Sequence, residues 1–390
     1  SKNAFAPDSV VEQTLPAGAQ HGINYNSDGS VTFVFYEKDK NGKRYDWCYL
    51  IGEFNNWERK SEYAMKRDES AGCWWITCDG FESGKEYMFQ YMTGNDDVRL
   101  RLSDPYSEIT YEGNDQWISA STYPSMRQYP SQTSGYVSAF EIGRSSYNWN
   151  VTDFKIEDSN DLIIYELLLR DFTENGGKEG NLKNAKAKLD YLETLGINAI
   201  ELMPIQEFDG NDSWGYNPNS YFALDKAYGT RDMYKKFIDE CHKRGMAVIL
   251  DIVFNQTQNH PYYTLYGGTA NNPFLNESAP HNWSVLNDWN QGNAWLQDHF
   301  CKMLQYWIKE YNIDGYRFDL AKGLGTNESY ANDYDGGKYN ESRIAIMKKY
   351  TDAVWKAKKD AYAIYEYFVD GAEEKVMADY GGLSWRAFTD

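Results

Sequence analysis

Arg317 and Asp319 stand two residues apart in the apolar run "NIDGYRFDLAKG" (residues 312–323), and Glu366 stands between two tyrosines in "IYEYF" (residues 364–368). Side chains in a β-strand alternate faces, so Arg317 and Asp319 point one way and Tyr316 and Phe318 the other. A charge pair on one face of a buried strand is costly unless its surroundings are polar for a reason. A structural salt bridge would explain the pair taken alone. With Glu366 added, the set reads as two carboxyls beside a cation, which is what cleavage of a glycosidic bond requires. One stays ionised as nucleophile, and the other keeps a proton for the leaving oxygen. Arg317 would hold Asp319 charged, and the apolar strand around Glu366 would raise its pKa, as a general acid needs.

These residues need elements to hold them. From Asp161 onward, buried-type strands alternate with helices. "LIIYELLLRDF", "INAIELMPI", "MAVILDIVFN", "IDGYRFDLA" and "AYAIYEYF" read as strands. "NLKNAKAKLDYLETLG", "TRDMYKKFIDECHKRG", "AWLQDHFCKMLQYWIKEY" and "SRIAIMKKYTDAVWKAKKD" read as the intervening helices, the first two closing on glycine. An irregular insertion, about residues 255–290, follows the third strand. This rhythm predicts an α/β fold, a parallel (β/α)8 barrel of the TIM type, over residues 161–390. The polar residues Glu201, Asp251, Asn255, Arg317, Asp319 and Glu366 fall where successive strands end, the face on which such barrels carry their chemistry. A doubly wound sheet would want a Gly-rich phosphate loop after an early strand, and none is present.

Before residue 126 the pattern is different. "SVTFVFYEK", "WCYLIGEFNNW", "GCWWITCDGF" and "KEYMFQYMTG" are short alternating strands separated by Gly, Asn and Asp turns. They predict an N-terminal antiparallel β-sandwich over residues 26–125. Residues 1–25 read as an extended leader, and the Ser- and Tyr-rich stretch 126–160 reads as a linker. Adjacent Trp74 and Trp75 must face opposite sides of their strand, which leaves one available for a ligand.

The net charge of −19 disfavours a nucleic-acid groove or an anionic membrane surface as partner. The 13 Trp, 33 Tyr and 18 Phe suit a neutral hydroxylated ligand whose apolar ring faces stack on aromatic rings. The five cysteines are odd in number and form no C-x-x-C pair, which argues against a disulfide scaffold or a structural zinc. No apolar run reaches the ~20 residues of a transmembrane helix.

The barrel residues resemble the α-amylase family of retaining glycosidases and transglycosylases, glycoside hydrolase family 13. "DIVFNQ", "GYRFDLAKG", "IYEYF" and "WGYNP" carry the likeness. The resemblance implies Asp319 as nucleophile, Glu366 as acid/base and Arg317 as the residue orienting Asp319. It implies Tyr216 stacking on the sugar whose bond is cut, with Trp214 in the same motif, and Asp251 and Asn255 shaping the strand-three loop. No cofactor is required, although calcium with Asn255 as a ligand is possible. The substrate would be an α-glucan such as starch, glycogen or pullulan. "YLIGEFNNW" makes the sandwich resemble carbohydrate-binding module family 48.

Two departures stand out. Gln256 occupies the place where the family carries a His; it can donate a hydrogen bond but not carry charge, and His260 lies near enough in sequence to compensate. No His-Asp pair follows Glu366, and the ~230 residues from Asp161 fall short of a complete barrel of ~250, so five to six strands are expected here. Hydrolysis, transglycosylation as in a branching enzyme, and non-catalytic glucan binding all remain open. A polymeric substrate outside the cell implies a secreted or periplasmic protein rather than a cytoplasmic one, whereas the unpaired cysteines suit a reducing compartment.

Overall fold

The computed structural model describes residues 9–174 and 179–385 and divides the chain into two compact units. One comprises residues 1–116 and 127–146, and the other residues 117–126 and 147–390. The first eight residues of the expected leader and the stretch 386–390 lie outside the described residues.

The first unit is the expected sandwich. One sheet has the strand order Gly22–Tyr25, Val31–Tyr36, Cys73–Cys78, Lys66–Asp68. The second runs Trp47–Gly52, Glu86–Gly94, Val137–Glu141, Thr110–Tyr111, with Arg99–Leu102 also paired to Glu86–Gly94. The sheets meet through aromatic rings: Phe33 lies 5.0 Å from Phe89 and 5.2 Å from Phe140, and Phe35 stacks on Tyr91 at 4.7 Å. Such ring pairs bury large apolar area with defined geometry. The "FNNW" motif is a structural turn. Asn55 accepts from the Gly52 amide and donates to the Leu50 carbonyl, and Asn56 and Trp57 then turn the chain at positive φ.

Three expectations are corrected here. The leader is part of the sandwich: residues 11–13 pair with Arg67, and Gly22–Tyr25 is an edge strand. The linker carries a sheet strand, Val137–Glu141, a short apolar run obscured by the polar residues on either side of it. Neither Trp74 nor Trp75 is open to a ligand. Trp74 donates to buried Glu37, while Leu15 and Ala19 cover Trp75, whose ring nitrogen donates to the Gln13 carbonyl.

The second unit holds a six-stranded sheet of β1 (Ile164–Leu167), β2 (Ala199–Leu202), β3 (Ala247–Ile252), β4 (Gly315–Phe318), β5 (Tyr362–Glu366) and β6 (Leu383–Trp385). The strands are all parallel and neighbour one another in chain order, the winding of a (β/α)8 barrel. The long crossover helices are α1 (Arg231–Lys243), α2 (Ala294–Tyr311), α3 (Glu341–Ala357) and α4 (Gly371–Tyr380). Thr230, Asn293, Asn340 and Asp370 cap their N-termini by accepting backbone N–H bonds. The helix expected over 181–196 breaks into Leu182–Lys186 and Leu189–Thr194, where Lys188 leaves helical geometry and its ammonium donates to the Phe172 carbonyl.

β1 and β6 are the two edges of this sheet, and Ile163 on the approach to β1 is 56% exposed, so the first strand is not the fully buried one expected. The insertion is more ordered than its sequence suggests. Gln256–Thr257, Leu275–Asn276 and Asn287–Trp289 form a small antiparallel sheet of pairs too short to show a period. Among the described residues, no helix is long and apolar enough to cross a membrane.

Candidate active site

One face of the parallel sheet changes character along the strands. Ala199, Ala247, Ile249, Tyr362 and Ile364 form an apolar cluster near the strands' amino ends. Two residues farther on, the alternation of a β-strand brings Glu201, Asp251 and Glu366 to the same face. Arg317 joins them because it is the register partner of Asp251 on one side and of Ile364 on the other.

Arg317 is the hub. Its Nη1 lies 2.8 Å from each carboxylate oxygen of Asp251 and 3.0 Å from Asp319 Oδ1, and its Nη2 lies 2.9 Å from Glu366 Oε2. Leu320 follows in the left-handed region at φ 43°, and its amide donates to Glu366 Oε2 at 2.9 Å. Asp319 and Glu366 therefore converge from adjacent strand ends on one guanidinium. The Trp385 ring lies 5.1 Å from that guanidinium.

The electrostatics differ from the simple expectation that Arg317 keeps Asp319 ionised. Burial, Asp251 and the neighbouring Glu366 together push the Asp319 carboxyl well above its usual range, and Arg317, shared among three carboxylates, only partly opposes them. Burial raises Asp251 to about 6 against the pull of Arg317. Glu201 is pushed up to about 8, first by burial and then by Asp251 and Glu166. This interior holds protons as well as charge.

Tyr216, on the loop after β2, donates to Asp251 Oδ2 at 2.5 Å. Trp214, two residues before it, is 60% exposed. Gln256 does not reach into the cleft. It is buried, its Nε2 donates to the Tyr216 carbonyl at 2.9 Å, and its Oε1 accepts from Asn255 Nδ2 at 2.9 Å. Both ends of its amide are thus bound to protein, one of them to the backbone of Tyr216. His260 does not compensate for the absent histidine. It is fully buried, its Nδ1 accepts from the Tyr262 amide, and burial lowers its pKa to about 3.

Glu166 was missed from sequence, and Glu201 was noted at its strand end without a role. Their carboxylate oxygens and one of Asp251 lie within 4.8 Å of one another. The signal was available: each is the lone charge in its apolar strand, and the two are register partners. The trio suits a shared proton better than a metal ion, because Arg317 already places a cation on Asp251.

Calcium was the other expectation, through Asn255. Asn255 Oδ1 and Asp288 Oδ1 are buried without hydrogen-bond partners. His281 Nε2 lies 3.5 Å from Asp288 Oδ1. Calcium takes 6–8 oxygens. Asn255 and Asp288 offer two side-chain oxygens toward that number, the rest of which backbone carbonyls and water would have to supply.

The winding of the sheet and the placing of charge at its strand ends define the scaffold of an α/β-barrel enzyme of the glycosidase type. Residues 164–274 match the family model "Alpha amylase, catalytic domain". That segment of the chain is thus similar to an α-amylase catalytic domain. It is 30% identical over 340 residues to malto-oligosyltrehalose trehalohydrolase from Saccharolobus solfataricus, covering 82% of this chain and 54% of that protein. It is 28% identical over 318 residues to the 1,4-alpha-glucan branching enzyme GlgB of Halothermothrix orenii, covering 77% and 46%. In fold it is similar to pullulanase type I from Bacillus subtilis, with TM-score 0.66 and 22% identity over 89% of this chain and 47% of that one. The chain spans about half the length of the curated relatives it matches.

Proposed function

We propose that the protein is a retaining enzyme acting on α-glucans, with Asp319 as nucleophile and Glu366 as acid/base. The observation that carries this reading is the joining of both carboxyls to the single guanidinium of Arg317. Asp319 and Glu366 are also near enough for a side-chain hydrogen bond to each other, which is on the short side of retention, where the two carboxyls stand about 5–5.5 Å apart. Inversion needs roughly 6.5–9.5 Å to admit a water.

In the first step Glu366 gives its proton to the glycosidic oxygen while the Asp319 carboxylate attacks the anomeric carbon. The carbon–oxygen bond breaks and a glycosyl ester forms. Glu366, now a carboxylate, then takes a proton from an incoming hydroxyl, whose oxygen attacks the same carbon and frees Asp319. Attack requires the pair's proton on Glu366 and its charge on Asp319, and Arg317 stands beside both carboxyls, 3.0 Å from Asp319 Oδ1 and 2.9 Å from Glu366 Oε2. Tyr216 would stack on the reacting sugar. Water as the incoming group gives hydrolysis; a sugar hydroxyl gives transfer. The named relatives include a trehalohydrolase and a branching enzyme, so both outcomes stay within the proposal. None of these steps calls for a cofactor. A secreted or periplasmic location, where polymeric glucan is met outside the cell, belongs to the same reading.

The test is chromatography of products, with proton NMR of their anomeric configuration, after incubation with maltoheptaose, amylopectin and pullulan. Initial products of α configuration, lost in Asp319→Asn, are expected. Products of β configuration, or equal turnover by Asp319→Asn, would overturn the proposal.

A further inference from the structure

A buried ion pair lies behind the site. Arg343, in the first turn of α3, and Glu373, in the first turn of α4, are both 0% exposed. They meet in a two-pronged contact, Arg343 Nε to Glu373 Oε2 and Nη2 to Oε1, each at 2.7 Å. Forked contacts of this kind fix direction as well as distance. The rest of the guanidinium is spent on backbone. Nη1 donates to the carbonyls of Lys322 at 2.9 Å and Gly336 at 2.7 Å, and Nη2 to that of Lys338 at 2.9 Å. All five N–H donors of the arginine are thereby used.

From this side the pair reaches both strands that carry the reacting carboxyls. Lys322 stands three residues after Asp319, and its carbonyl also accepts from the Tyr330 hydroxyl at 2.7 Å. Tyr367 directly follows Glu366, is fully buried, and donates its hydroxyl to Glu373 Oε2. It shares the face of Tyr365, whose hydroxyl meets Thr351 of α3, while Glu366 takes the cleft face. In front, the same two segments are joined by Arg317 and by the Leu320 amide, each 2.9 Å from Glu366 Oε2. The ends of β4 and β5 are thus clamped twice, from the cleft and from behind it. A buried ion pair adds little stability over well-packed apolar residues, and its best-attested use is to fix one arrangement among several. A fully satisfied polar network holds its members rigid. Here those members are the chain segments on which Asp319 and Glu366 stand.

We propose that Arg343 and Glu373 are positioning residues, and that the Tyr367 hydroxyl is the link through which they set where Glu366 stands against Asp319. Arg343 holds the turn after β4, Glu373 ties the start of α4 to it, and Tyr367 carries that position to the neighbouring Glu366. All three side chains are fully buried, so they act through the residues they hold. The inference rests on the roles proposed above for Asp319 and Glu366.

The test compares Tyr367→Phe and Arg343→Lys with the unaltered protein. Tyr367→Phe removes one hydroxyl and keeps the ring, whereas Arg343→Lys keeps the charge and loses the fork. Turnover is measured on maltoheptaose and on α-glucosyl fluoride, whose leaving group needs little protonation. Misplacement by about 1 Å can cost about 100-fold in rate. Arg343→Lys should lose about that much kcat on maltoheptaose and Tyr367→Phe less, both keeping most of their rate on the fluoride. Unchanged turnover in Tyr367→Phe, or an equal loss on the two substrates, would overturn the inference, since a mere loss of folded protein lowers both alike. Should Arg343→Lys fail to fold, Tyr367→Phe decides. Crystal structures of the unaltered protein and of Tyr367→Phe add a readout that needs no turnover. The 2.9 Å contacts of Glu366 Oε2 with Arg317 and with the Leu320 amide should lengthen or break in the variant. An unmoved Glu366 would overturn the inference whatever the assay shows. Should the unaltered protein prove inert on both substrates, the proposed function fails, and the position of Glu366 alone decides this inference.

Discussion

Arg317 and Asp251 face each other across adjacent parallel strands as direct register partners, with Arg317 Nη1 2.8 Å from both oxygens of the Asp251 carboxylate. The pair anchors a guanidinium that also holds Asp319 and Glu366. Replacing Arg317 with Met would leave these carboxylates without their cation in a buried setting. Loss of one partner of a buried pair costs roughly 3–5 kcal/mol. Urea denaturation should show a loss of that order for Arg317→Met, and a change below about 1 kcal/mol would mean the charges are solvated rather than buried.

Glu366→Gln and Asp319→Asn should fail in different ways. Removing a general acid costs about 10²–10⁴-fold in rate, but a fluoride leaving group needs little protonation. Glu366→Gln should therefore recover much of its first-step rate on an α-glucosyl fluoride, while Asp319→Asn should recover none. Equal rescue of both would remove the distinction between acid and nucleophile.

The proposed stacking of Tyr216 on the sugar and its hydrogen bond to Asp251 can be separated by substitution. Tyr216→Phe keeps the ring but leaves Asp251 Oδ2 without its 2.5 Å donor. The expected cost is about 1–3 kcal/mol of stability with a small rise in KM. Tyr216→Ala also removes the stacking surface, and its KM should rise well beyond that of Tyr216→Phe. Matching KM values in the two variants would mean that the ring does not meet the sugar.

Glu201 gives a pH signature. Burial holds its carboxyl near 8 against an ordinary value of 4.5, so the folded protein binds this proton more tightly than the unfolded chain does. Its contribution to stability is complete below about pH 4.5 and is lost as pH climbs through about 8. Stability of the unaltered protein should fall more steeply across that window than that of Glu201→Gln. Parallel profiles would show that Glu201 is not the group holding the proton.

The sequence showed the site best where strand alternation is longest. Arg317 and Asp319 share a face because they are two residues apart, and flanking apolar residues mark the strand as buried. Glu366 was legible for the same reason. Glu166 was not, because β1 is an edge strand and its exposed isoleucines read as core. The surroundings of Gln256 were not legible, because only the fold reveals that both ends of its amide are bound to protein. The burial of Trp75 depends on a leader with no periodic pattern, and the strand Val137–Glu141 sits among serines and tyrosines that suggest a linker. The same blindness hid His281 and Asp288, which come together only when the short insertion strands pair.

The assignment of Asp319 as nucleophile is tested most directly by trapping the glycosyl ester. The protein would be incubated with a 5-fluoro-α-glucosyl fluoride, digested and sequenced by mass spectrometry. One added glycosyl unit on the peptide containing Asp319, absent from Asp319→Asn, is the expected result. A label on Glu366 or another carboxylate, with Asp319 unmodified, would contradict it.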